Sequence, residues 1–344
     1  MKQKTWPYKS CSHQFTGLPF INKPNKKSTK DRQTRQLNFT SKSSSSSSSS
    51  FLSSSKCKEP DFSSLPYDVL ARIASSFSLP NLQSASLVCR GWRDALRPLR
   101  EAMLFLKWGK RFKHGRGGVK PNLKKALDSF LKGAARGSTM AMVDAGLIYW
   151  EMGKKEEGIA WYRKAAELGN PAGQCNLGIS YLQADPSNAK EAIDWLYQAS
   201  VAGSVRAQYQ LALCWHQGRV LHQNLQEAAR WYLRAAEGGY VRAMYNTSLC
   251  YASGQGLVQS HRLARKWMKK AADRGHSKAQ FEHGLGLFSV REMMKAVVYL
   301  ELATRAGETA AAHVKDVIVQ QLSATSRDRA MHLADNWCAL PSTR

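Results

Sequence analysis

Asn176, Gln210 and Asn246 follow one another at intervals of 34 and 36 residues, and Arg206, Arg242 and Lys278 at intervals of 36 and 36. A carboxamide offers a donor and an acceptor together, which suits the backbone of an extended peptide, and cations beside it suit acidic side chains. Gln217 and Glu282 fall in the same register. This is binding chemistry. Catalytic chemistry has no comparable support: there is no Ser/His/Asp set, no cysteine with an evident histidine partner, and no paired carboxylates with a pocket to hold them. The seven cysteines (11, 57, 89, 175, 214, 250, 338) are odd in number and form no C-x-x-C pair, which points to a reducing compartment without disulfide framework or zinc. Nine histidines are scattered singly; His276 and His283 come nearest to a same-face pair, and no third metal ligand stands near them. Gly115 to Val119 (GRGGV) lacks the Gly-Lys-Ser/Thr of a phosphate loop and reads as a turn between helices. A non-catalytic chain without metal or cofactor is therefore expected.

The amides and cations need a periodic scaffold, and the chain supplies one. Gly137, Gly169, Gly203, Gly239, Gly275 and Gly307 are spaced 32, 34, 36, 36 and 32 residues apart, and Ser129, Trp161, Trp195, Trp231, Trp267 and Tyr299 stand eight residues before them. Self-similarity of this period marks a stacked array of helix pairs. Counted from each glycine, the next helix has small residues at +4 (Ala141, Gly173, Ala207, Ala243, Ala279) and +9 (Gly146, Gly178, Ala212, Ser248, Gly284), and aliphatic ones at +10. The second helix has a small residue eleven before its glycine, which itself suits a left-handed helix stop. Positions +3, +7, +11 and +14 are left outside these packing columns. They form one stripe holding Arg206, Arg242 and Lys278, then Asn176, Gln210, Asn246 and Glu282, then Ser180, Cys214 and Cys250, then Gln217.

These columns, with the Gly-rich loops Gly115 to Ala126 and Gly254 to Ala264, resemble the SEL-one-like repeats, relatives of the tetratricopeptide repeat. The resemblance implies an all-α, right-handed α-solenoid. Six units are expected over 100–307, helices capping the array over 308–337, and a tail over 338–344. In related superhelices the first helices line a concave groove, which would make the polar stripe a groove for a protein client.

Upstream, the composition changes at Asp61. Ser64 reads as an N-cap, Pro66 as a first-turn residue and Asp68 as a partner of the helix dipole, in a helix carrying Leu65, Val69, Leu70, Ile73 and Phe77. Leu79–Pro80 should stop it; a second short helix should start near Asn81, and a third, carrying Val88 and Trp92, should end or kink at Pro98. The ordered set Leu65, Pro66, Val69, Leu70, Ile73, Leu79, Pro80, Leu82, Val88, Cys89, Arg90, Trp92 and Arg93 resembles an F-box, with Tyr67 standing where the family often has an acidic residue. The resemblance implies, over 61–99, docking of an SKP-type adaptor and through it a cullin. Leu65, Pro66, Val69, Leu70, Ile73, Leu79, Pro80, Leu82, Val88 and Trp92 are then its adaptor-binding residues. The alternative is that these apolar residues cap the array.

The net charge of +26 is uneven. Residues 1–60 hold 12 Lys/Arg against Asp31 and Glu59, and residues 90–125 another 12 against Asp94 and Glu101, so the array itself is mildly basic. A Ser-rich, basic leader with eight serines from Ser43 to Ser50 is expected to be disordered, with an organellar transit peptide as the alternative. No apolar run reaches membrane-spanning length. Specific nucleic-acid binding and membrane association are not expected. No Gly/Ser linker separates the F-box-like helices from the first repeat, which predicts nearly rigid coupling.

Together, the combination resembles F-box proteins of plant type with SEL-one-like repeats. It implies the substrate-recognition subunit of an SCF-type cullin-RING ubiquitin ligase, monomeric within its complex and acting in the cytoplasm or nucleus. A protein-binding scaffold outside any ligase is the alternative.

Overall fold

The six closing glycines have φ between 76° and 91°, the left-handed conformation that ends a helix. At each, the amide of the following residue reaches the carbonyl five residues earlier, as in Ser204 N to Ala199 O (2.9 Å) and Tyr240 N to Ala235 O (3.0 Å). That is the two-bond Schellman stop, and it turns every second helix of the array into the next first helix. The computed structural model describes residues 65–184, 188–219 and 222–340. The Ser-rich leader and the expected cap at Ser64 lie outside them.

The chain divides into two units between Arg97 and Pro98. The first holds α1 (Tyr67–Ala74), α2 (Leu79–Ala85) and the beginning of α3 (Arg90–His114). Its buried residues are few: Leu70, Ala74, Leu82, Ser86, Ala95 and Leu96. Leu79–Pro80 opens α2 rather than stopping α1, because Ser78 caps it and a proline in the first turn gives up an amide that has no helical acceptor anyway. α1 ends at Ala74, short of Phe77. Pro98 does not terminate α3; the one bond it forgoes is to the carbonyl of Asp94, an exposed residue.

The second unit continues α3 and adds α4 (Leu123–Ala135), α5 (Thr139–Glu151), α6 (Lys155–Glu167), α7 (Pro171–Gln183), α8 (Ala189–Val201), α9 (Val205–Gln217) and α10 (Leu225–Glu237). The remaining helices are α11 (Val241–Ser253), α12 (His261–Ala272), α13 (Ser277–Ser289), α14 (Met293–Arg305), α15 (Thr309–Gln320) and α16 (Ala324–Asp335). First and second helices alternate, from α4 to α15 each packs on its neighbours in sequence, and no strand occurs among the described residues. Asn122, Ser138, Asn170, Asn188, Ser204, Asn224 and Ser260 cap helix after helix through their side chains.

The core anchor of five of the six repeats stands seven residues before the glycine: Phe130, Tyr162, Leu196, Tyr232 and Leu300, all buried; in the fifth repeat Met268 holds that position half-buried and Trp267 is buried instead. A small residue on the preceding helix makes room for the anchor, so a Cβ built on Gly146 would meet Tyr162, one on Gly178 Leu196, and one on Gly284 Leu300. The more conspicuous tryptophans one position earlier are only half-buried at Trp161, Trp195 and Trp231. Likewise the aliphatic +10 column is partly exposed, at Leu249 most of all, while +8 and +11 are buried (Leu177, Leu211, Ile148, Cys214, Cys250).

Loops follow the same logic. Arg111 lies over Trp108 and donates to the carbonyls of Arg116 (3.0 Å) and Gly117, pinning the GRGGV turn, and Asn122 N closes it on Phe112 O at 2.9 Å. The loop after α13 instead places Arg291 at φ 61°, where Gly153 and Gly254 serve in other repeats. An L-residue there carries steric strain, so Arg291→Gly should raise stability by about 1 kcal/mol. A lowered melting temperature for that variant would contradict this. At the C-terminal end, α15 and α16 both pack on α14 rather than on each other as a pair. Glu301 holds them there, accepting from Arg305 (2.7 Å) and Lys315 (3.0 Å), while Arg305 also reaches Asp335 (2.6 Å). Burial alone would push the Glu301 carboxyl up, but those two donors outweigh it and hold it below the usual range. The chain then folds back, with Leu340 N donating to Asp273 O at 2.9 Å.

Candidate functional site

In the first unit, apolar residues outside the small core remain on the surface. Tyr67, Val69 and Ile73 on α1 are exposed, as are Leu87 at 77 % and Val88 at 65 % in the turn after α2. Of the ten expected adaptor residues, Val69, Ile73 and Val88 are therefore exposed, with Pro66 and Pro80; Leu65, Leu79 and Trp92 are intermediate. Leu70 and Leu82 are not available to a partner, being 3 % and 0 % exposed: they face inward because three short helices need every large residue on one side to close a core at all. Tyr67 and Leu87 are exposed apolar residues absent from the expected set. Periodicity gave no signal for Tyr67, which stands three residues before Leu70 on the same helical side yet is exposed as the first residue of α1.

In the second unit, the first helices of neighbouring repeats (α5 with α7, α7 with α9) come closer to one another than the second helices there do, so first helices line the inner side. The expected stripe does not survive whole. Asn176 is 7 % exposed and its Oδ1 accepts from Arg206 Nη1 at 2.9 Å, so this amide and this cation lock α7 to α9. The +11 residues Ser180, Cys214 and Cys250 are buried core, because the wheel turns them under the next helix. Nearer the array's start, Lys113 pairs with Glu151 at 2.8 Å and Lys110 approaches Asp144 at 3.9 Å. Burial pushes the Asp144 carboxyl up against the pull of Lys110, Lys113 and His114. What remains open lies toward α9, α11 and α13: Arg242, Lys278, Glu282 and Gln217 are exposed and Gln210 and Asn246 half-buried.

A second set of polar side chains was not anticipated. Gln174, Gln208 and Gln280 are buried, and each Nε2 donates eight residues back, to the carbonyls of Ala166, Ser200 and Ala272. Each adds a second bond to a carbonyl at the end of the preceding second helix that already accepts from the closing glycine's amide. Met142 and Met244 occupy the same position in other repeats, which hid the pattern.

Residues 62–101 match the F-box domain family, and residues 106–138, 153–170, 171–204, 205–240 and 241–276 match the Sel1 repeat family. The F-box protein At1g70590 of Arabidopsis thaliana is 64 % identical over 353 aligned residues, covering 100 % of both chains. The chain belongs to the F-box proteins with Sel1 repeats. Solved structures share its repeat fold. A protective antigen of uropathogenic Escherichia coli, c5321, displaying an SLR fold, aligns with TM-score 0.60 at 21 % identity over 79 % of this chain and 63 % of its own. A Sel1 repeat protein from Oxalobacter formigenes aligns with TM-score 0.52 at 24 % identity over 70 % and 97 %.

The sixth expected Sel1 unit lies beyond the matched segments, yet α13 and α14 keep the geometry, with Gly284 beside Leu300 and Gly307 at the stop. Between the last matched Sel1 repeat and this one, His276 serves as an N-cap rather than a metal ligand. Its Nδ1 accepts from Ala279 N at 3.2 Å and its ring stacks on Tyr245 at 4.7 Å, while His283 meets Tyr299 edge-on at 4.6 Å. Burial, aided by Arg242 and Lys278, pushes the His276 imidazole down to about 4. An unfolded histidine takes up its proton near pH 6.5, so this contribution to stability is full above that pH and is lost as pH falls from about 6.5 toward 4. His276→Asn keeps a capping side chain but cannot titrate. Thermal unfolding at about pH 7.5 and about pH 5 should therefore show a smaller acid loss for the variant than for the parent, and equal losses would contradict the assignment.

Proposed function

We propose that this F-box protein is a non-catalytic substrate receptor of an SCF-type ubiquitin ligase. Its F-box would recruit an SKP-type adaptor and through it a cullin, while its Sel1 repeats would hold a protein client. The observation that carries this reading is the exposed apolar set Tyr67, Val69, Ile73, Leu87 and Val88 in a unit whose own core is already closed by Leu70, Leu82 and Leu96. Apolar side chains of this size left in water on a matched F-box are the expected mark of a docking face. Client binding is assigned to the inner face from α9 to α13, through Gln210, Gln217, Arg242, Asn246, Lys278 and Glu282; Arg206 and Asn176 instead shape it. In this reading the repeats act as a binding scaffold. Action in the cytoplasm or nucleus is part of the proposal and rests on the odd number of cysteines without a C-x-x-C pair.

The test is affinity capture with the tagged full chain from plant cells. Adaptor and cullin are expected to co-purify with wild type and with Arg242→Glu/Lys278→Glu, and client proteins with wild type alone. Loss of neither would refute the client face; absence of adaptor and cullin would favour the non-ligase scaffold.

A further inference from the structure

The second helix of the fifth repeat is unlike the others. α12 and its C-terminal turn carry Arg262, Arg265, Lys266, Lys269, Lys270 and Arg274, against the single carboxylate Asp273. Asp273 is taken, accepting from Lys269 Nζ at 2.6 Å and from Tyr299 Oη at 2.7 Å. Among the described residues, Lys269 is the one of the six with an ion pair. The face opposite is committed to packing through Ala264, Trp267, Ala271 and Ala272, so Arg262, Arg265, Lys266 and Lys269 occupy the solvent side, while Lys270 and Arg274 are half-buried at its border. Cations spaced four apart along a helix repel one another, and here Arg262, Lys266 and Lys270 make a ridge of that spacing, with Arg265 and Lys269 exposed beside it. The crowding is felt at Lys270, whose ammonium is pushed down by burial and by Lys266 and Arg274. The helix dipole favours Lys269 and Lys270 in the last turn but gives no such support to Arg262 in the first.

We infer that the solvent face of α12 docks an extended acidic segment of a partner protein. Residues four apart on a helix rise about 6 Å, and alternate side chains of an extended strand about 6.6 Å, so acidic residues at every second position match Arg262, Lys266 and Lys270 in turn. Lys270 is fixed 3.9 Å above the Trp267 ring, and on the neighbouring second helix Arg234 is set over Trp231 at the same repeat position, which broadens the positive surface. A single-stranded nucleic acid is disfavoured because the aromatic ring of α12, Trp267, is buried beneath Lys270 and offers no face for a base. A membrane surface is disfavoured because the solvent face of α12 presents no exposed large apolar side chain for insertion. The inference stands on this surface alone and does not depend on adaptor binding.

The experiment uses the full chain and a fluorescein-labelled peptide of roughly 12 glutamates, followed by anisotropy at about 0.15 M salt. Arg262→Glu/Lys266→Glu should weaken binding at least tenfold. Lys124→Glu/Lys190→Glu, which changes net charge equally on exposed second-helix sites elsewhere, should stay within about twofold. Arg262 lies in the first turn, where a glutamate complements the positive helix end, so the ridge variant keeps its helix; Lys270→Gln is a milder second variant expected to weaken binding at least threefold. Equal loss in ridge and control variants would overturn the proposal, because net charge alone would then explain it. So would an oligouridine of the same length that binds more tightly than the peptide and is more sensitive to the ridge variant.

Discussion

Gly178→Leu should lower the stability of the Sel1 array by about 3 kcal/mol and its melting temperature by roughly 6 to 12 °C. A Cβ at this position would lie 2.7 Å from Leu196 Cγ and 2.9 Å from the backbone oxygen of Ala192, and only the first can move aside. Leu196 is fully buried and is the anchor of its repeat, so displacing it disturbs the packing of α7 on α8 and, through it, the neighbouring repeats. The same residue type gives the opposite sign one face away. Gly286 lies inside α13 with open space around its would-be Cβ, so Gly286→Ala should raise stability by up to about 1 kcal/mol through helix propensity. Chemical unfolding of the two variants beside the parent checks both signs, and a neutral Gly178→Leu would mean that α7 and α8 are less closely packed than described.

That pair of glycines also shows where sequence reading stops. The +9 column and the closing glycines were legible because each is a steric requirement repeated at fixed spacing: room for an anchor in one case, a left-handed stop in the other. Which large residue is the anchor was less so. The tryptophan column is the more conspicuous, yet Phe130, Tyr162, Leu196, Tyr232 and Leu300, one position along, fill the core. One position is a rotation of about 100° on a helix, and a wheel packed on both flanks leaves too narrow a polar sector to decide between neighbours. The same narrowness misplaced the +11 cysteines and Asn176. Arg206 reads as a groove cation from its type and period, but its partner lies thirty residues back on the adjacent first helix, a contact created only by stacking. In the F-box unit, the family motif orders its residues correctly without separating those that close the core, Leu70 and Leu82, from those left outside.

Ile73→Asp/Val88→Asp should reduce affinity for an SKP-type adaptor at least 100-fold, about 3 kcal/mol, while leaving helix content and melting unchanged. Both side chains are exposed, at 50 % and 65 %, so the free protein gives up little packing; in a docked complex each carboxylate would be buried against an apolar surface without a partner. Leu82→Asp provides the contrast. Fully buried in α2, it should abolish adaptor binding by unfolding the three helices, with a matching loss of helical signal. If the exposed pair proved as disruptive to folding as Leu82→Asp, these residues would belong to the core and the docking face would have to lie elsewhere.

The central claim is that the F-box of this Sel1 protein is a working adaptor module. Titration calorimetry of the purified full chain into purified SKP-type adaptor bound to the cullin amino-terminal domain tests it without a client. One chain is expected to bind per adaptor, and Ile73→Asp/Val88→Asp to abolish the complex. Absence of heat and of a co-eluting complex, under conditions where another F-box protein binds the same adaptor, would contradict it.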